Sequence, residues 1–204
     1  MSKYPIIIFE GIEASGKTTN FKIAANYLRN RRKSFIKLRE PGGSIFSEKI
    51  RKLILNKKLN LNIKTDLLLF YAGRSENFEK IIKKNYKKKI ILIDRFTDST
   101  IAYQHYGMKI DLKVIKMLNK FIIGNFNPDI VFLSTVNSKN LQKRLRNRSN
   151  LNRYDKFKLK FYNKVQSGYE KISRNKSKYI KINSNNNTIN EVKKIITNKL
   201  EKII

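Results

Sequence analysis

The sequence contains no cysteine or tryptophan, and only three prolines, eight glycines and one histidine among 204 residues. The lack of cysteine excludes disulfide bonds and cysteine-ligated zinc sites. No apolar run approaches the roughly 18 residues that a membrane-spanning helix needs. The opening stretch "MSKYPIIIF" is also too short an apolar segment for a signal peptide. We therefore expect a cytoplasmic protein that makes no membrane contact, with residues 1–204 forming one domain.

Acidic residues are also scarce, since 15 Asp and Glu face 46 Lys and Arg and leave a net charge of +31. Such a balance is typical of proteins that bind nucleic acid or an acidic membrane surface. The lysines, however, are scattered through almost every segment, and the residue types with A/T-rich codons (Lys, Asn and Ile) are abundant together. This pattern favours compositional drift of the genome over a dedicated nucleic-acid site. The positive field still attracts polyanionic ligands.

Short apolar runs alternate with helical patterns along the chain. Five runs are predicted to be strands, at 5–10, 34–40, 89–94, 128–134 and 178–183. Helical spacing predicts helices at 17–32, 44–56, 63–85, 97–106, 111–124 and 188–203, and another that follows the basic stretch 137–156 and ends near 174. This alternation is typical of an α/β fold, with a five-stranded parallel sheet flanked by helices in a three-layer sandwich.

The first predicted strand runs into a loop that matches the pattern G-x-x-x-x-G-K-[ST]. Its residues are Gly11, Ile12, Glu13, Ala14, Ser15, Gly16, Lys17 and Thr18. The glycines let backbone N–H groups converge on phosphate oxygens, at the positive end of the following helix. Lys17 is predicted to reach the terminal phosphates, and the Thr18 hydroxyl to bind Mg²⁺. An ordinary glycine turn is the alternative, but the strand before and the helix after favour a nucleoside triphosphate site.

Asp94 ends the third predicted strand, "KIILID", so its carboxylate is expected at the same sheet edge as the glycine loop. There it would hold the metal, directly or through water. A simple turn would explain a strand that ends in Asp equally well. Arg95 follows at once, and an acid beside a base suits a metal next to a second phosphate group.

Four further segments decide among the many proteins that have such a loop. They are "REPGG" (39–43), "FYAGR" (70–74), "DRFTDSTIAYQ" (94–104) and the basic segment 143–153, "KRLRNRSNLNR". Their order and spacing resemble those of thymidylate kinases over essentially the full chain. The resemblance implies the P-loop NTPase fold of nucleoside monophosphate kinases, and phosphorylation of dTMP to dTDP by ATP with Mg²⁺. It also implies a homodimer formed by helices packed across a two-fold axis.

The resemblance further implies that Phe70 stacks on the thymine ring and that Arg74 hydrogen-bonds a base carbonyl. The residues themselves agree, because positions four apart share one helix face, and an aromatic ring with a planar donor suits a flat base. The alternative places Phe70 in the core and makes Arg74 a surface charge.

The acceptor's phosphate would be clamped by Arg95, with Arg51 and Arg39 beside it, since a dianionic phosphate calls for bidentate donors. The acceptor pocket would be lined by Ser99, Thr100, Tyr103 and Gln104, and Glu13 would contact the acceptor's sugar or metal-linked waters.

Some family members carry an arginine inside the glycine loop, where this chain has Ala14. The chain therefore resembles the subgroup whose arginines come from a mobile lid, here a lid segment of about 143–155. Arg148 and Arg153 are the first candidates for catalysis, with Arg144 and Arg146 behind them. The alternative is that the basic segment 143–153 is only a charged, solvent-exposed face. Asn152 replaces the family's usual Asp, and "LST" (133–135) replaces its Leu-Asp strand end, so the lid register is open by about a residue.

Two other functions remain as alternatives. One is a kinase for another nucleotide or for a deoxynucleoside, against which Arg51 and Arg95 speak, because they are useful only if the acceptor already carries phosphate. The other is a nucleic-acid-binding ATPase, which the charge favours but no dedicated segment supports. His105 is expected at the surface or the pocket rim, since this chemistry needs no imidazole base.

Overall fold

The computed structural model of the chain describes residues 4–149 and 151–204. Its strands are β1 (Ile6–Gly11), β2 (Phe35–Arg39), β3 (Ile90–Asp94), β4 (Ile130–Thr135) and β5 (Tyr179–Asn183). They form one sheet in the order β2-β3-β1-β4-β5, and every neighbouring pair is parallel. The predicted five-stranded parallel sheet is therefore confirmed.

Helices connect the strands and cover the sheet. They are α1 (Lys17–Asn30), α2 (Ile45–Leu55), α3 (Ile63–Asn77), α4 (Lys83–Asn85), α5 (Thr97–Thr100), α6 (Leu112–Ile123), α7 (Ser138–Arg146), α8 (Leu159–Ser173) and α9 (Ile189–Glu201). A π-helical segment, Phe78–Ile82, joins α3 to α4, and another, Ile101–Gly107, continues α5; a 3₁₀ helix covers Arg153–Lys156. The helices predicted over 63–85 and 97–106 are thus helical throughout but include π turns. In the described part of the chain, no helix has both the length and the apolar character to span a membrane.

The side chains of β1 alternate between two cores, one on each face of the sheet. Ile7 and Phe9 pack with residues of α1 and α9. Ile6 and Ile8 pack on the other face with the first π segment and with the end of α6. All six residues of β1 are buried, as expected for a central parallel strand covered on both sides. The chain therefore forms the predicted three layers.

The register of the strands brings several chain segments to one edge of the sheet. Phe9 of β1 lies opposite Asp94 of β3, and Arg39 of β2 also lies opposite Asp94. On the other side, Gly11 lies opposite Ser134 of β4. The carboxyl ends of four strands therefore meet where the glycine loop begins, which is where parallel α/β sheets bind their ligands.

Candidate active site

The glycine loop has a backbone that requires glycine at its first position. Gly11 has a φ of 142°, and a Cβ at this position would lie 2.5 Å from the carbonyl oxygen of Ser134. Gly16, with a φ of 90°, directly precedes α1. Between them, Ser15 Oγ donates a hydrogen bond of 2.8 Å to the carbonyl oxygen of Ile12. The loop thus leads to the N-terminus of α1, where free N–H groups and the helix dipole favour an anion.

Lys17 begins α1 and forms an ion pair with Asp94 at the end of β3. The lysine side chain is only 9% exposed. Its burial, together with the nearby charge of Arg95, lowers the pKa of Lys17, and Asp94 opposes this shift. The ion pair keeps a cation beside the glycine loop, in the same cavity.

Thr18 and Asp94 supply the oxygen atoms that the metal prediction requires, and both line the same cavity. Among residues 4–149 and 151–204, no group of three or more His, Cys, Asp or Glu side chains lies together as a metal cage. Mg²⁺ commonly takes only one or two protein oxygens, and substrate phosphates and water complete its shell. A hydroxyl and a carboxylate therefore fit Mg²⁺ bound together with a nucleotide.

Arg95 follows β3 in a left-handed backbone conformation, with a φ of 67°. Its guanidinium donates to the carbonyl oxygen of Gly11 and to Glu13 Oε1, each at 2.9 Å. Weaker contacts of 3.4 Å reach Ser99 Oγ and the Tyr169 hydroxyl. The side chain thus lies between the glycine loop and α5, and it lines the cavity.

Glu10 is a residue of this site that the sequence patterns did not identify. Its buried carboxylate accepts hydrogen bonds from Phe96 N at 2.8 Å and from Ser99 N at 3.3 Å. Ser99 Oγ and the Tyr169 hydroxyl also donate to it, at 2.5 and 3.1 Å. Burial and the neighbouring Asp98 raise the pKa of Glu10 to about 7. A glutamate that ends an apolar strand, "IIIFE", is the sequence feature that would have indicated it.

Arg74 is buried, with 2% of its surface exposed, and it lines the cavity. Its Nε donates to Glu40 Oε2 at 2.8 Å. Its Nη2 donates to the Phe96 carbonyl oxygen at 3.1 Å and to Thr100 Oγ1 at 3.0 Å. Phe70, one turn earlier on α3, lines the same cavity. The alternative of a surface charge for Arg74 is therefore wrong, and the two side chains share one face as expected.

The other predicted acceptor residues lie around this end of the cavity. Arg51 Nη1 donates to the Pro41 carbonyl oxygen at 2.6 Å, and Arg39 pairs with Glu48 at 3.1 Å on a more exposed surface. The Tyr103 hydroxyl donates to Glu13, which also holds Arg95. Ser99, Thr100 and Gln104 line the cavity with them.

Two arginines from the lid segment also reach the cavity. Arg144, on α7, donates to the Ala14 carbonyl oxygen at 3.0 Å and to Ser184 Oγ at 2.8 Å, so it joins the glycine loop to the segment after β5. Arg148 lines the cavity and donates to Asp155. Arg144, predicted as a second choice behind Arg148, thus also contacts the site. Ser184 lies 40 residues further along the chain, so no local pattern in the sequence pairs it with Arg144.

Arg153 does not line the cavity; it pairs with Asp66 of α3. Arg146 is exposed at the end of α7, and His105, whose Nδ1 lies 2.8 Å from the Ile110 carbonyl oxygen, also lies outside the cavity lining. Asn152 accepts from Tyr154 N at 2.8 Å and thereby caps the 3₁₀ helix, which accounts for a polar residue there. Residue 150 of the lid segment lies outside the described residues.

A single cavity of about 720 Å³ extends from the glycine loop to α3. Its lining includes the predicted site residues Ile12, Glu13, Ala14, Ser15, Gly16, Lys17, Thr18, Arg39, Arg51, Phe70, Arg74, Asp94, Arg95, Ser99, Thr100, Tyr103, Gln104 and Arg148. The cavity is also lined by four residues near the start of α9 that no sequence pattern predicted, namely Ser184, Asn187, Ile189 and Val192. A cation-lined cavity of this kind suits the transfer of a phosphoryl group, in which positioning and charge neutralisation carry most of the catalysis.

Comparison with known proteins agrees with this geometry. Residues 9–196 match the sequence model of the family described as "Thymidylate kinase". The chain is 38% identical over 199 residues to a thymidylate kinase of Thermosipho africanus, covering 96% of this chain and 98% of that protein. It is 40% identical over 182 residues to one of Staphylococcus epidermidis, covering 88% and 89%.

The fold is also similar to a solved structure. The crystal structure of a thymidylate kinase from Ehrlichia chaffeensis matches with a TM-score of 0.77 and 35% identity, covering 97% of this chain and 98% of the other. The sequence match and the structural match both extend over nearly the whole chain, including the glycine loop and α3. This chain therefore belongs to the thymidylate kinase family.

Proposed function

We propose that this chain transfers the γ-phosphoryl group of ATP to dTMP and releases dTDP and ADP. The observation that carries the proposal is the single cavity that contains both the glycine loop and the Phe70–Arg74 face of α3. Membership of the thymidylate kinase family supports the same reaction. The acceptor is already an anionic phosphate, so the reaction needs no strong base and no covalent intermediate.

At the donor end, the glycine loop binds the triphosphate and Lys17 neutralises its terminal groups. Lys17 now pairs with Asp94, so a bound nucleotide would draw the ammonium group away from this carboxylate. Thr18 and Asp94 would hold Mg²⁺, which neutralises phosphate charge when it is bound. Arg148 of the lid segment delivers a further positive charge to the cavity, where the loop residue Ala14 provides none.

At the acceptor end, Phe70 stacks on the base and Arg74 donates to a base carbonyl. The rigid network that already holds Arg74 to Glu40, Phe96 and Thr100 keeps its guanidinium plane fixed, which lowers the entropy lost on binding. Arg95 and Arg51 bind the monophosphate, and Tyr103 crowds the sugar. The placement of these two arginines in the cavity favours a phosphorylated acceptor over a free nucleoside.

A coupled assay of ADP release tests this proposal with a panel of acceptors in the presence of ATP and Mg²⁺. We expect dTMP to be the best substrate, dUMP to be weaker, and purine monophosphates to be poor. Faster turnover of AMP, CMP or free thymidine than of dTMP would show that the acceptor has been wrongly assigned.

We also propose that the protein is a homodimer that buries apolar side chains of three adjoining helices. α3 contacts both α2 and α6, and each of the three exposes large apolar side chains. The exposed side chains are Ile45, Phe46, Leu53, Ile63, Leu68, Val114, Met117 and Phe121. Exposed apolar side chains on adjoining helices are typical of a protein–protein interface, and a second copy of the chain would cover them by two-fold symmetry.

We also propose a cytoplasmic location, which suits an enzyme that consumes ATP. Fractionation of cells that produce the protein would test this location.

A further inference from the structure

The lid foot, which we define as residues 152–156, is attached to α3 through one buried carboxylate. Asp66 lies in the first turn of α3 and is only 1% exposed. Two donors from the lid foot reach it, the Arg153 Nη2 group and the Tyr154 hydroxyl. Arg153 and Tyr154 follow Asp66 by 87 and 88 positions, so these contacts join two segments that are distant in the sequence.

This attachment turns Arg153 away from the cavity. Its guanidinium carbon lies 5.2 Å from the centre of the Tyr154 ring, and its Nε is buried without a hydrogen-bond partner among residues 4–149 and 151–204. Moving Arg153 onto a phosphoryl group would leave the buried carboxylate of Asp66 without its charged partner and with only the Tyr154 hydroxyl as a donor, which is costly. The ion pair therefore favours a structural use of Arg153 over direct contact with the reacting phosphate.

The lid foot contacts the acceptor end of the cavity through Tyr154. Its ring packs edge-on against Phe70 at 6.1 Å and against Tyr103 at 5.8 Å, measured between ring centres. Gln104 Nε2 also lies 3.4 Å from the Tyr154 hydroxyl. Phe70 lies one turn after Asp66 on α3. The anchor of the lid foot, Asp66, and the proposed base-binding surface of Phe70 and Arg74 therefore belong to one helix.

The lid foot also holds Arg148, the lid arginine that does line the cavity. Asp155 accepts a hydrogen bond from Asn152 N at 2.7 Å and from Arg148 Nη1. A chain of contacts thus runs from Asp66 through residues 153–155 to Arg148. Displacement of the lid foot would move this arginine as well as Tyr154.

We propose that Asp66 is a positioning residue that ties the lid segment to the acceptor end of the cavity, and that Arg153 acts through Asp66 rather than on the transferring phosphoryl group. The inference rests on the proposed function, since it assigns a role within that reaction. It makes Asp66 and Arg153 one functional unit, whereas a catalytic Arg153 would work without Asp66.

A double-mutant cycle separates these two roles. The variants are Asp66→Asn, Arg153→Ala and the double variant, with Lys156→Ala, an exposed neighbour in the same 3₁₀ helix, as the matched control. Each is assayed for kcat and for KM with dTMP and with ATP. Misplaced catalytic groups commonly cost up to about 100-fold in rate, so we expect each single variant to lower kcat by roughly 10- to 100-fold. The double variant should be no worse than either single variant.

The KM values and the lid itself provide independent readouts. The KM for dTMP should rise in both single variants, because Tyr154 contacts the base-binding surface, while the KM for ATP stays within about two-fold. Hydrogen exchange of residues 152–156, measured without substrates, should become faster in Asp66→Asn and remain unchanged in Lys156→Ala. Arg153→Lys, which can restore the ion pair, should recover most of the activity.

Three results would overturn the inference: near-normal kcat in Asp66→Asn beside a strong loss in Arg153→Ala, additive losses in the double variant, or unchanged exchange of the lid foot. If Asp66→Asn does not fold, Tyr154→Phe can be used instead, because it removes the second donor to Asp66. Unchanged hydrogen exchange of the lid foot and an unchanged KM for dTMP in Tyr154→Phe would equally contradict the inference. A wild-type protein that does not phosphorylate dTMP would refute the proposed function instead, whereas the exchange measurement would still report on the anchor.

Discussion

Glu10 keeps a carboxyl group at the end of a buried strand because four donors surround it. Two come from the backbone of the segment after Arg95, and two from the hydroxyls of Ser99 and Tyr169. These bonds fix the turn in which Arg95 adopts its left-handed conformation. The carboxyl group therefore helps to hold Arg95, the proposed clamp on the acceptor's phosphate, in place, although Glu10 does not itself line the cavity.

Glu10 should give the protein a characteristic pH dependence of stability. Its pKa is about 7 when folded and 4.5 in its ordinary state, so between these values the folded protein holds a proton that the unfolded chain has lost. The free energy of unfolding should therefore fall as pH rises through this range, by about 3 kcal/mol for a shift of this size. Glu10→Gln cannot ionise and should lack this part of the fall. Urea denaturation of both proteins between pH 4.5 and pH 8 measures the difference, and a difference that stays constant with pH would contradict the raised pKa.

Arg148 is the lid arginine whose loss should act mainly on the chemical step. Arg148→Ala removes a positive charge from the cavity, and we expect kcat to fall by about 100-fold while the KM for dTMP stays nearly unchanged. Neighbouring arginines such as Arg144 limit the loss. Steady-state kinetics measure both constants, with Lys156→Ala as control. Near-normal kcat would leave Lys17 and Arg95 as the cations that act on the phosphoryl group.

At the scale of helices and strands, sequence patterns predicted what depends on neighbouring residues. The apolar runs located all five strands, and the four-residue spacing of Phe70 and Arg74 placed them on one face of α3. The glycine pattern placed Lys17 at the start of α1. Each of these features depends on residues that lie close together in the sequence.

Contacts between distant segments could not be predicted in this way. Arg153 meets Asp66 across 87 positions, and Arg144 meets Ala14 across 130. Both arginines occur in one basic segment with several alternatives, so composition alone gives no partner to either. The choice depends on how α7 and the 3₁₀ helix pack against α3 and the glycine loop, which is a property of the folded chain.

The apolar surface of α2, α3 and α6 leads to a prediction about assembly. Phe121 on α6 is 85% exposed, so Phe121→Lys should hardly affect folding of a single chain. A lysine there would place a charge from each chain in the apolar surface that the proposed dimer buries, which would favour monomers. Sedimentation velocity at micromolar concentration measures the change, with Lys87→Ala as control. A wild-type protein that is already monomeric would contradict the proposed dimer.

At the scale of the whole molecule, the net charge is +31, and most of the lysines lie outside the cavity lining. If the excess is compositional, it should act only as a general attraction for anions. Added salt should then raise the KM for both nucleotides by roughly two- to five-fold, because screening weakens that attraction. Single-stranded DNA should leave ATP hydrolysis essentially unstimulated. A rise of several-fold in ATPase activity with DNA, in the absence of dTMP, would favour a nucleic-acid-dependent enzyme.

One cavity, in this proposal, brings ATP and dTMP together for direct transfer of the phosphoryl group. The most direct test is to incubate the protein with ATP, Mg²⁺ and dTMP and to separate the nucleotides chromatographically, with Lys17→Ala as the control for contaminating kinases. We expect dTDP and ADP to appear in equal amounts until the reaction reaches equilibrium. We also expect that thymidine in place of dTMP gives no product and that the Lys17→Ala protein is nearly inactive. Formation of ADP without dTDP, or phosphorylation of thymidine in preference to dTMP, would contradict the proposal.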